Sequence, residues 1–175
     1  RILYTPSLME KLKHDTSLTN ATFLDDTTNH PYEEADVVLL GVACDLTASY
    51  NKGAWHGPYA ILDASYQIEY AVPGFHTPLT DKLKIHNFGI LLCPKSVDHD
   101  GILLEYTPDE IEVAMNEMVE ETERIATTVF KNNKLLMLFG GDHSVPNGVW
   151  NAIQKLYSPN DFAILHFDAH LDLRD

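Results

Sequence analysis

Phe162-Ala-Ile-Leu-His-Phe-Asp-Ala-His-Leu-Asp-Leu-Arg-Asp175 is the stretch whose reading decides the fold. Its first residues, Phe162 to Leu165, are apolar and read as a buried strand over 162–167. Asp168, His170 and Asp172 then fall at every second position. Alternate side chains of an extended chain share a face, so two carboxylates and an imidazole are expected to point one way as the strand leaves the sheet. Such ligand types hold hard or borderline divalent metals. The plainer reading is that acidic residues at a strand end cap helices and solvate loops.

A second segment answers the first. Leu135-Leu-Met-Leu-Phe139 reads as a strand and runs into Gly140-Gly-Asp-His-Ser144, a tight turn opening a helix. His143 therefore sits at the carboxyl end of a strand, where open α/β sheets place their ligands. If the two strands belong to one parallel sheet, His143 faces the Asp168, His170, Asp172 group. His166 shares the face of Asp168 by alternation but lies deeper in the strand.

The rest of the chain supplies the frame. Val37-Val-Leu-Leu-Gly-Val42 is a short apolar, β-branched run, as buried parallel strands are. The loop that follows, from Ala43 to Gly57, is long, and long loops at strand ends carry function. Pro58 then opens a helix from Tyr59 to about Tyr70. His56 in that loop reads either as a pocket residue beside Trp55 or as a solvated, helix-capping residue. Ile85 to Ile90 is a further strand. The Asp98, His99, Asp100 trio on the next loop reads as surface. Thr107-Pro-Asp-Glu110 has the form of a helix start, with Thr107 as cap, Pro108 in the first turn and Glu110 closing a capping box. Apolar residues then recur at helical spacing from Ile111 to Phe130, and the helix ends near Asn132-Asn133. Pro146 suits the start of a last helix running to about Tyr157. Strand–helix alternation implies parallel pairing with right-handed crossovers. Residues 1–35 show little pattern beyond a possible short helix at Ser7 to Lys13, and are read as an amino-terminal extension.

Bulk properties exclude some classes. A net charge of -14, from 26 acidic and 12 basic residues, argues against nucleic acid as partner and suits a cationic substrate, although a solvated acidic surface alone would produce it. The two cysteines, Cys44 and Cys93, lack metal-finger spacing and read as reduced thiols of a cytoplasmic protein. No apolar run approaches the roughly 18 residues of a membrane span, and no signal peptide is visible.

Gly140-Gly-Asp-His-Ser144 together with Asp168-Ala-His-Leu-Asp172, in this order and separation, resembles the motif pair of the ureohydrolase superfamily: the arginases, agmatinases and formimidoylglutamases. Gly41-Val-Ala-Cys-Asp45, Gly53-Ala54 and Gly57-Pro58 match much of that family's loop after its first strand. The departures are Ala43 where a proline is usual, Lys52 in place of part of an Arg-containing phrase, and Asp63 where an arginine is frequent. They bear on substrate recognition. The resemblance implies a three-layer α/β/α fold with a mainly parallel, arginase-like sheet, of which residues 36–175 form the amino-terminal portion. It implies two Mn(2+) ions per subunit, with His143, Asp168, His170 and Asp172 as ligands and Asp142 and His166 as outer residues that orient them. Further ligands and the proton-handling residues would follow Asp175, so no catalytic side chain is expected within this chain, which reads as part of a longer protein.

Water activated by the two ions would then attack a guanidinium or formimidoyl carbon. Among family members Ala64-Ser-Tyr-Gln-Ile-Glu69 and the Leu165–Asp175 stretch look most like prokaryotic, especially archaeal, agmatinases. Agmatine hydrolysis to putrescine and urea is the expected activity, in a cytoplasmic homo-oligomer, a trimer or hexamer. Formimidoylglutamase, arginase or another guanidino-acid hydrolase stays open, as does a non-catalytic metal-binding or scaffold relative. A nucleotide-binding role for Gly140-Gly141 is disfavoured, because a full phosphate-cradling pattern is lacking.

Overall fold

The computed structural model describes residues 23–24, 28–69, 74, 78, 80, 82–97 and 100–172. The helix expected at Ser7 to Lys13, and Asp98 and His99, lie outside these. Three strands, β1 (Val37–Ala43), β2 (Ile85–Leu92) and β3 (Leu135–Phe139), form a parallel sheet in the order β2-β1-β3. Three helices accompany them: α1 (Gly57–Ser65), α2 (Pro108–Lys131) and α3 (Asn147–Leu156).

The central strand shows why its sequence is continuously apolar: all seven residues of β1 are buried. Val38, Leu40 and Val42 pack with Ala114, Met118, Ile125 and Val129 of α2. On the other face Val37 and Leu39 meet Ile85. Further along that face Ala43 meets Ile90 and Leu62 of α1. A strand covered on both sides cannot afford an outward polar row, and the result is an α/β/α sandwich. Gly41 is required by that closeness, since a Cβ there would stand 2.9 Å from Ile90 and 3.0 Å from Pro58. β2 carries one residue more than β1. Leu39 pairs with Asn87 and Leu40 with Gly89, so Phe88 is the extra residue of a bulge, and Gly89 takes φ 110° to accommodate it.

α2 begins as its sequence dictates. The Thr107 hydroxyl accepts from the Glu110 N–H, and the Glu110 carboxylate accepts from the Thr107 N–H at 2.9 Å. α3 lies against α2 at Gly148, where a Cβ would stand 2.5 Å from the Val119 carbonyl and 2.7 Å from the Glu123 nitrogen. Lys155 and Glu123 close an ion pair across the same seam.

Two expectations need correction. α1 ends at Ser65 rather than near Tyr70; there the buried Ser65 hydroxyl turns back to the Leu62 carbonyl at 2.6 Å. More consequentially, residues 162–167 form no strand. Leu165 is 82% and Phe167 92% exposed. The apolar run was a true strand signal without the surroundings a buried strand needs. On the face of β3 away from α2, Leu135 and Met137 are themselves exposed, so among the described residues little covers the place where such a strand would bury its side chains. Among the described residues, no helix is long and apolar enough to cross a membrane.

Candidate metal centre

β1 and β3 run parallel, so their carboxyl ends open on one side of the sheet. β3 delivers the chain into Gly140-Gly141. Gly141 has φ 39°, and a Cβ on it would stand 2.2 Å from the Cys44 carbonyl and 2.9 Å from that of Val42. Only glycine fits both the conformation and the approach. Gly57 is equally tight, because its Cβ would meet the Gly140 carbonyl at 2.5 Å. These contacts seat the turn after β3 against the end of β1 and the start of α1.

Asp142 holds the turn. Its N–H donates to the Cys44 carbonyl at 2.8 Å. One carboxylate oxygen accepts from the Ser144 N–H at 3.0 Å and from the Ser144 hydroxyl. The other accepts from the N–H and hydroxyl of Thr47, at 2.9 and 2.7 Å. His143 lies between the two residues so fixed.

Opposite it, the segment after α3 brings three more groups. His143 Nδ1 is 3.1 Å from Asp172 Oδ2 and 3.8 Å from Asp168 Oδ2. His166 Nε2 is 3.8 Å from the same Asp168 oxygen and 3.9 Å from the same Asp172 oxygen. The two imidazoles meet edge to face, 5.6 Å between centroids. One donor atom from each of His143, His166, Asp168 and Asp172 lies within 4.8 Å of the others. Two carboxylate oxygens so close repel each other, and a bound cation would relieve that repulsion. A mixed nitrogen and oxygen set gathered this way is what a divalent cation requires, so the residues fit the group that the sequence implies.

The extended geometry expected of 168–172 is not found. Residues 169–170 bend, and Asp172 adopts φ 50°. Asp168 and Asp172 still converge, but through a folded-back chain rather than strand alternation. His170 donates its backbone N–H to Asp168 Oδ1 at 2.8 Å, with its ring Nδ1 3.3 Å from that oxygen and its side chain 82% exposed. It thus stands outside the four-membered group, and His166 stands inside it. That His170 N–H, with the nearby His166 and His143 rings, holds the Asp168 carboxyl below its ordinary range. Thr47 escaped the sequence reading, since nothing local marks a partner 95 positions away. His56 is exposed and stacks on Tyr59, 5.8 Å between centroids, with Trp55 edge-on at 5.4 Å. The Lys95 ammonium lies 5.0 Å from the centre of the Trp55 ring.

Glycine-seated turns, a parallel sheet and a histidine–carboxylate cluster at its carboxyl edge define a class, and the chain belongs to the arginase family, whose model matches residues 35–175. Among its relatives is an N(1)-aminopropylagmatine ureohydrolase of Synechocystis, 30% identical over 87% of this chain and 45% of that protein. Another is an agmatinase of Bacillus subtilis, 32% identical over 82% of this chain and 42% of that one. In fold the chain is similar to the agmatine ureohydrolase of Thermoplasma volcanium, with TM-score 0.57 at 22% identity, over 82% of this chain and 41% of that chain. The chain spans less than half the length of these relatives.

Proposed function

We propose that the protein of which this chain is part hydrolyses the guanidino group of a linear cationic amine, with agmatine, yielding putrescine and urea, as the first substrate to test. The observation that carries the reading is the convergence of His143, His166, Asp168 and Asp172 within 4.8 Å at the carboxyl edge of the sheet. Relatives named agmatinase and aminopropylagmatine ureohydrolase support the substrate class, and they make aminopropylagmatine the second candidate.

In this reading the four side chains hold divalent cations, two manganese ions by family resemblance. Bound there, such ions would supply Lewis acidity that brings the pKa of water toward neutrality. The chain's own residues do the placing. Asp142 and the two glycines fix His143. The His170 N–H favours the ionised form of Asp168, the form in which a carboxylate binds metal. The net charge of -14 favours approach of a dication. The test is urea release by the intact protein with manganese, comparing agmatine, aminopropylagmatine, arginine and formimidoylglutamate. Preference for either amine sustains the proposal. Turnover of formimidoylglutamate or arginine alone would move the substrate, and turnover of none would favour a non-catalytic relative.

A further inference from the structure

We propose that Thr47 is a positioning residue for the histidine–carboxylate cluster, fastening the loop after β1 to the turn that carries His143. The inference rests on reading that cluster as a metal centre. Its basis is a chain of contacts that begins inside the loop. Asp45 is fully buried, and its Oδ2 accepts the Gly53 N–H at 2.6 Å, so the loop is closed at its base. The Lys52 ammonium reaches back into the space enclosed. It donates to the carbonyls of Asp45, Leu46 and Ala48 at 3.0, 2.9 and 3.0 Å. An ammonium has three donors, and here each has a carbonyl. Residues 45–53 are therefore a preorganised unit rather than a free strap.

From that unit Thr47 reaches across to Asp142 with two donors, at 2.9 and 2.7 Å. Asp142 in turn holds Ser144 with its other oxygen. His143 is thus bracketed by a carboxylate that cannot turn without releasing donors on both sides. Hydrogen bonds to a charged acceptor are the stronger kind. A partner of this type, one step removed from a ligand, typically changes metal affinity by about 10–100-fold. Thr47 is exposed, so its substitution removes little packing.

The experiment is titration of the intact, metal-stripped protein with manganese alone, read by calorimetry and by the electron paramagnetic resonance of the bound ion. Thr47→Val keeps the shape and deletes the hydroxyl donor; manganese affinity is expected to fall about tenfold, with a changed resonance. Thr47→Ser restores the donor and is expected to bind within about twofold of the parent. Lys52→Met loosens the unit behind Thr47 and is expected to weaken binding as well. Because both changes act through one contact, the double variant should lose less than the product of the single losses. Unchanged affinity in Thr47→Val, or a Thr47→Ser protein as weak as Thr47→Val, overturns the proposal. A parent protein that binds no manganese overturns the metal-centre reading itself.

Discussion

Three of the four clustered side chains reach the site by different physical routes. His143 is placed by backbone necessity, because two glycines and Asp142 leave the turn no other path. Asp168 is shaped by its neighbour, the His170 N–H. Asp172 depends on a left-handed backbone that few non-glycine residues adopt. Asp168→Ala and Asp172→Ala are accordingly expected to weaken manganese binding by more than the roughly 100-fold upper range seen when only a supporting partner is lost. Equilibrium titration checks this, and affinity within about threefold of the parent for either would remove that residue from the ligand set. At this scale the sequence was informative where chemistry is carried by residue type, as in the Asp142-His143 and Asp168–Asp172 motifs. It was silent on Thr47. Alternation put His166 and His170 on one face and the resemblance made His170 the ligand, whereas the structure gathers His166 with the carboxylates and leaves the His170 side chain 82% exposed. The chain bends at 169–170, where the His170 N–H turns onto Asp168 Oδ1 at 2.8 Å.

Among the elements, α2 and β1 were the most legible, because local signals and tertiary burial agree in both. The capping box at Thr107 is complete. Thr107→Ala should lower unfolding free energy by about 1 kcal/mol in denaturant titrations. The same cap carries a pH signature. The backbone N–H of Thr107, then its hydroxyl, hold the Glu110 carboxyl below its ordinary range. A carboxyl lowered by folding stabilises the native state above its unfolded pKa. The contribution is lost as pH falls through the folded value. Thr107→Ala should therefore flatten the acid limb of stability below the ordinary glutamate range and leave the neutral region parallel; an unchanged limb would refute this role of the cap. Gly148 makes the opposite prediction to helix propensity. Alanine should favour an isolated helix by about 1 kcal/mol, yet a Cβ 2.5 Å from the Val119 carbonyl must push α3 from α2. Overpacking of this kind typically costs about 1–3 kcal/mol. Gly148→Ala should thus lower the thermal midpoint, and a raised midpoint would show that the seam yields. The run at 162–167 was the least legible element. Its pattern is that of a strand, but whether a strand forms is decided by a covering layer, which no local sequence contains.

For the molecule as a whole, fold class followed from alternation of apolar runs and helical periods, since a parallel sheet requires both. The charge balance could be counted but its purpose could not be read from it. If the acidic field draws a dicationic substrate, kcat/KM should fall as salt rises from about 0.01 to 0.15 M, where the Debye length shrinks from about 30 to 8 Å. Steady-state rates with agmatine across that range check it, and a rate insensitive to salt would assign the charge to solvation alone.

The bulge in β2 has a bearing on how this chain tolerates change in length. Phe88 sits between the residues paired with Leu39 and Leu40 and has no ladder partner in β1, while Ile85, Ile90 and Leu91 keep the orientations that the flanking ladder demands. Excision of a codon inside a buried ladder ordinarily reverses the sidedness of everything downstream. Removed at Phe88, it would leave the remaining residues in phase with β1, so natural variation in strand length should find its least harmful place there.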